Sequence, residues 1–491
     1  MIATLILVPI FTGISIFGIR SHTIRHLMLI IVAALHTTLT AGCWIVSPPS
    51  VLMGWLMLDD VALLFLSITS LLFLISSFYA VGYLRRETEG SRPDFEDQSL
   101  FVNAPETRFI ACLLFFLSTM TVVILSRHFG LFWVAMEATT LASAPLIYFH
   151  RHHRSLEATW KYLMICSVGI AMALLGNFFL VAATIPAEGE SVSLVLDQLI
   201  QHNNGFQIIW LKAAFIFILV GYGTKMGLAP MHTWLPDAHS ESPSVVSALL
   251  SGALLNCAFL GILRTHQLCV AAGIQRFSQD LLLGFGLFSM AVAAVFILGQ
   301  RDYKRMLAYS SIEHMGILAL GIGLGGEGIF GAMFHAVNHS LTKGLLFLTA
   351  GNILAVYHTK STSDVRGILK ILPLSGILWI TGFLAIVGSP PFGTFLSEFT
   401  ILKAAIDQQQ IGVAVVYLAL LSLIFIGMAD IFLRTALGRQ SIESDNDTVR
   451  EHALMVVPPF CLAVIVLCLG IYLPSAFSRL LHDAAQILGG I

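Results

Sequence analysis

Six side chains able to hold or pass a proton stand within apolar sequence: Glu137, Lys225, His335, His339, Lys343 and Glu398. Glu137 lies in LFWVAMEATTLASAPLIYF. A lone carboxylate at bilayer depth costs roughly 2.5–3.5 kcal/mol even on the lenient insertion scale. It therefore needs a partner or a proton, and Lys225 is the natural partner. The plainer alternatives are a structural ion pair and a lysine that snorkels from a helix end. His335, His339 and Lys343 fall in FHAVNHSLTKGLLF. Spacing of four puts them on one helix face, and imidazoles that titrate near neutral pH suit a relay. The same spacing would suit a metal, but no carboxylate or cysteine completes the set nearby in sequence, so none is expected. Glu398 sits in SPPFGTFLSEFTILK, with Lys403 five residues on. Secondary candidates are Glu313 and His314 in YSSIEHMG, His232 and His239 around WLPD, and Asn256. Asp430 and Arg434 read as a structural (i, i+4) pair.

The elements that must position these groups are membrane spans. Of 491 residues, 57% are hydrophobic and 11% charged, against about 25% charged in a soluble domain. The net charge of −2 offers nothing to nucleic acid. Seven scattered cysteines form no CxxC pair, which argues against an iron–sulfur or zinc site and leaves no cofactor expected in this chain. Fourteen spans are expected, over 2–19, 27–46, 61–84, 109–126, 130–149, 159–185, 208–229, 243–264, 280–300, 306–325, 327–357, 371–389 with a broken continuation to 406, 411–434 and 453–475. The first run has no basic segment before it and reads as a span, not a cleaved signal. The connector from Arg85 to Arg108 is expected to be solvated.

Proline interrupts the pattern twice. Pro230, Pro236 and Pro243 follow Lys225, and Ser389-Pro390-Pro391-Phe392-Gly393 precedes Glu398. Broken backbone at membrane depth survives only where protein buries it or water reaches it. Each break falls in the fourth member of a set of five spans. Five is odd, so the sets are inverted, and matched broken helices in inverted halves point to an ion or proton site. The expected organisation is an N-terminal three-helix segment with connector (1–108), a first repeat (109–264), a second repeat (280–434) and a C-terminal helix (453–491). Alternate threading puts eighteen of the 26 basic residues on one side, Arg92 and Arg450 among them, and leaves Arg127, Arg264, Arg276 and Arg479 on the other. That asymmetry predicts a cytoplasmic first side and both termini outside.

The stretch from Lys225 to Asn256 has the form KxGLAPxHxWLPDAHxExPxxVSALLSG. It resembles the antiporter-like subunits of complex I, of multisubunit cation/proton antiporters and of membrane-bound hydrogenases. GYGTKMGLAP, LLNCAFLGILR and YSSIEHMG resemble most the F subunit of hydrogenase-4, in formate-hydrogenlyase-type complexes. The resemblance implies an all-α fold of 14 spans with two inverted five-helix repeats in a cell inner membrane. It implies proton transfer by Glu137, Lys225, the His335–His339–Lys343 relay and Glu398. It also implies membrane-subunit partners, with nickel–iron and iron–sulfur centres on peripheral subunits. Many complex I members carry a lysine where this chain has Asn256, and an amide cannot change charge.

Overall fold

The computed structural model describes residues 1–87, 91–93, 100–184, 193–201, 205–439 and 451–490. Arg450 and the side chain of Arg92 lie outside them. An apolar helix stands at each expected span. Among the described residues, twelve are long and apolar enough to cross a membrane, and two, Ile2–Ile16 and Pro373–Ile386, are shorter. In chain order they are α1 (Ile2–Ile16), α2 (His22–Cys43), α3 (Asp60–Arg86), α4 (Glu106–Leu125), α5 (Phe129–Ile147), α6 (His153–Thr184), α7 (Ile208–Met226), α8 (Ser244–Ala271), α9 (Gln275–Ile297), α10 (Tyr303–Leu324), α11 (Glu327–Tyr357), α12 (Pro373–Ile386), α13 (Ile411–Leu437) and α14 (Ala453–Ile471). The chain is an all-α polytopic membrane protein. The connector expected to be merely solvated carries one antiparallel ribbon, Ser91–Pro93 on Leu100–Val102.

Polar residues at the helix starts set several boundaries. The Asp59 carboxylate accepts from Ala62 N–H at 2.9 Å to begin α3. Asp302 accepts from the N–H groups of Lys304 and Arg305 to begin α10. Such caps satisfy amide donors that have no partner inside the helix. Both breaks fall where proline placed them. Helix α7 stops at Gly227, whose φ of +85° suits glycine, and a short helix Trp234–Glu241 follows Pro230. Helix α12 stops at Ile386, and a second helix starts at Gly393 and runs to Asp407.

Helix α8 is wholly buried, and α10 and α11 are nearly so, while α13 on the rim is mostly exposed. The broken segments pack against this three-helix centre. Small residues allow close approach where it matters: a Cβ on Gly221 of α7 would stand 2.6 Å from the Gly169 carbonyl oxygen of α6. One irregularity had no warning in the sequence. Leu250–Leu254, inside α8, forms a single π turn, a feature found mostly at functional sites.

Candidate functional site: buried titratable side chains on broken helices

The close α6–α7 contact brings Lys225 beside α5 and α6. Its ammonium donates to Thr140 Oγ1 at 2.5 Å and to the Tyr162 hydroxyl at 2.9 Å, and lies 4.7 Å from the Tyr162 ring centroid. Glu137 does not pair with it directly. No Glu137–Lys225 ion pair occurs within 4.0 Å among the described residues. The Glu137 carboxylate instead accepts from Ser167 Oγ at 3.0 Å and from Thr140 Oγ1 at 3.5 Å. The expected ion pair is thus a bridge through Thr140. The reason is placement: Lys225 is fully buried, whereas Glu137 is only half-buried and turned toward exposed Ser167.

Asn256 follows the π turn. Its amide nitrogen donates to Ser340 Oγ of α11 at 2.7 Å and to the Gly252 carbonyl at 3.1 Å. Ser251 and Ser311 share a hydrogen bond of 2.8 Å between α8 and α10. A polar seam of neutral groups therefore joins the first half to the second where the amide replaces a lysine.

Beyond it, α10 and α11 present Glu313, His314, His335, His339 and Lys343, all buried. Lys343 donates to the Leu307 carbonyl at 2.8 Å. His314 Nδ1 lies 2.9 Å from His335 Nε2, and the His314 ring centroid is 5.0 Å from each of the His335 and His339 rings. Glu398 reaches this group from the helix after the second break, with one carboxylate oxygen against Gly388. Among the described residues, Glu313 Oε2, His314 Nε2, both His339 nitrogens, Glu398 Oε1 and the Tyr417 hydroxyl have no hydrogen-bond partner. Buried polar atoms are ordinarily paired with protein or water, so this concentration marks the region apart from the core. The ground for discounting a metal also falls here. The missing carboxylate is Glu398, brought in by a different helix to stand with His314 and His335.

Other candidates take different places. Lys403 is exposed and pairs with Asp407 at 2.5 Å, one turn beyond Glu398 and away from the buried group. His232 is buried near the rings of Phe296 and Tyr309, and His239 is fully buried with its ring 5.2 Å from Phe347. Neither is a surface-loop residue. The acidic positions of the same segment are anchors. Asp237 pairs with Lys161 and Arg305, each at 2.8 Å, and Glu241 with Lys360 at 2.7 Å. Burial raises the Glu241 pKa, but the Lys360 charge and hydrogen bond outweigh it and hold the carboxyl below its ordinary value. Lys304, which sequence reasoning passed over, is buried and donates to the carbonyls of Ser240 and Ser242 at 3.1 and 2.7 Å. Asp430 and Arg434 pair at 2.6 Å on the exposed face of α13.

Residues 126–425 match the family described as NADH:quinone oxidoreductase/Mrp antiporter, transmembrane. The chain belongs to that family. A hydrogenase-4 component F homolog of Methylacidiphilum infernorum is 33% identical over 427 residues, covering 86% of each chain. A Na+/H+ antiporter subunit of Alkalihalophilus pseudofirmus is 29% identical, over 84% of this chain and 52% of its own. Among solved structures, a chain of an archaeal membrane-bound sulfane sulfur reductase superposes with a TM-score of 0.87 at 21% identity, covering 100% of this chain and 98% of that one. Membership makes this chain an antiporter-like membrane subunit.

Proposed function

We propose that the chain translocates protons as a membrane subunit of a redox-driven complex of the hydrogenase-4 type. The observation that carries this reading is the file of titratable groups inside the bundle. Lys225 stands in the first half, Lys343, Glu313 and the three histidines in the second, and Glu398 at the far break. A scaffold gains nothing from such groups, which cost several kcal/mol each at membrane depth. Electron transfer elsewhere in the complex alters the field at Glu137. The Thr140 bridge passes the change to Lys225, and a proton moves on toward Lys343 and Glu398. Asn256 and Ser340 cannot change charge, so they serve this step by hydrogen bonding alone. The sequence likeness to a hydrogenase-4 component F homolog supports the choice of complex. Nickel–iron and iron–sulfur centres then belong to neighbouring subunits, and the protein sits in the cell membrane with both termini outside.

The test is Lys343→Ala in the assembled complex. Gradient formation in inverted vesicles should be lost while the protein remains in the membrane, because α11 keeps its apolar packing. A normal gradient would make Lys343 structural. The likeness to a Na+/H+ antiporter favours a second reading, cation/proton exchange with no redox partner. Co-purification with nickel- and iron–sulfur-containing subunits separates the two.

A further inference from the structure

One atom each from His314, His335 and Glu398 can meet at a point: their ligand atoms lie within 4.8 Å of one another. Three helices contribute, α10, α11 and the one starting at Gly393. The hydrogen bonds around His335 fix how its ring presents itself. Ser397 Oγ donates to the Thr394 carbonyl at 2.8 Å, so it accepts from His335 Nδ1 at 2.9 Å. With its proton on Nδ1, His335 turns the Nε2 lone pair toward His314. An imidazole whose other nitrogen donates to a fixed acceptor is the usual state of a metal-ligating histidine. Ser397 is thus the outer partner that a ligand needs, and it is supplied from the same helix as Glu398.

Charge points the same way. Glu398 has no ion-pair partner among the described residues, and its Oε1 has no hydrogen-bond partner. Two imidazoles with a carboxylate form the donor set of borderline first-row dications, whereas Mg2+ and Ca2+ take oxygen donors. The observed His314–His335 separation is 2.9 Å. Nitrogens bound tetrahedrally at about 2.0–2.1 Å stand roughly 3.3 Å apart, so a few tenths of an ångström of ring movement suffice.

We propose that His314, His335 and Glu398 form a binding site for a Zn2+-class divalent cation, oriented by Ser397. A cation there occupies the His335 Nε2 lone pair and clamps the second broken helix to α10 and α11. The site therefore blocks proton movement between the two histidines when filled. Binding itself does not rest on the proton role, because it is read with no gradient present.

The experiment uses the purified complex, stripped with EDTA and titrated with Zn2+, then separately with Co2+. Wild type should bind one more Zn2+ per chain than Glu398→Gln, and Co2+ should give the visible ligand-field bands of a tetrahedral nitrogen–oxygen site. Ser397→Ala keeps all three ligands but frees the His335 ring, so its Zn2+ affinity should fall about 10–100-fold. Equal stoichiometry in wild type and Glu398→Gln overturns the site, and so does unchanged affinity in Ser397→Ala. If Glu398→Gln fails to assemble, the Ser397→Ala titration decides alone. Zn2+ binding without inhibition of proton uptake would leave the site standing and count against the relay.

Discussion

At Thr140 a single hydroxyl connects two groups that do not touch. Lys225 donates to it, and it donates to Glu137. Thr140→Val keeps the shape and removes the link. A hydrogen bond to a charged group contributes about 1.5–3 kcal/mol, so gradient formation should fall roughly tenfold or more while the amount of protein in the membrane holds. Unchanged pumping in vesicles would mean that Glu137 and Lys225 do not communicate through this bridge. Thr140 was legible in principle, because it stands one turn from Glu137 on the same helix. Tyr162 was not: it reaches Lys225 from α6 across 63 positions, and no local spacing announces such a contact. Glu398 was singled out as a carboxylate after a break, but its meeting with His314 depends on how three helices pack. Sequence periodicity says which face a residue occupies and nothing about which faces meet.

At the scale of elements, the Glu398 carboxylate stands close against the backbone of the second break at Gly388. Gly388 has φ of +65°, and a Cβ there would overlap the Glu398 carboxylate. Gly388→Ala meets strain and collision together, about 1–2 kcal/mol for the backbone alone, and must move the carboxylate. The expected result is an assembled complex with proton flux cut severalfold. Wild-type flux would show that Glu398 need not sit where it does. The breaks themselves were readable because proline removes a donor from the helix wherever it falls. The π turn in α8 was not, since LSGAL contains no residue that forbids an ordinary helix.

At the scale of the whole molecule, a charge network ties four segments together. Asp59 at the head of α3 meets Arg264 at 2.6 and 2.7 Å and Arg127 at 2.6 Å, and Arg127 also pairs with Asp197. Burial pushes the Asp59 pKa up, but the two guanidinium groups outweigh it and hold the carboxyl well below the usual range. A depressed folded pKa adds stability above the unfolded value of about 3.9, which is lost as pH falls through the folded value. Thermal midpoints of the detergent-solubilised protein should therefore hold from neutral pH to about 4 as far as this group is concerned, then drop. Asp59→Asn should lower the neutral midpoint, since breaking a buried pair costs roughly 3–5 kcal/mol, and should flatten the acid limb. An unchanged acid limb would assign that decline to other carboxylates. Orientation is open to a direct check. With cysteines at Arg154 and Arg479, an impermeant reagent outside the cell should label only position 479, and labelling at 154 would invert the assignment.

The burial of α10 and α11 has a consequence for how the chain is made. Among the twelve long apolar helices, the four least hydrophobic are α5, α7, α10 and α11. They carry Glu137, Lys225, Glu313 with His314, and His335 through Lys343. Helices α5, α10 and α11 hold an ionisable residue near the helix centre, which opposes leaving the translocon for lipid alone, and α7 ends on Lys225. Their more apolar neighbours α3, α4, α8 and α9 are synthesised before α10 and α11 and can receive them. Insertion is then expected to be cooperative: the helices that carry buried charge enter the membrane as guests of their more apolar neighbours.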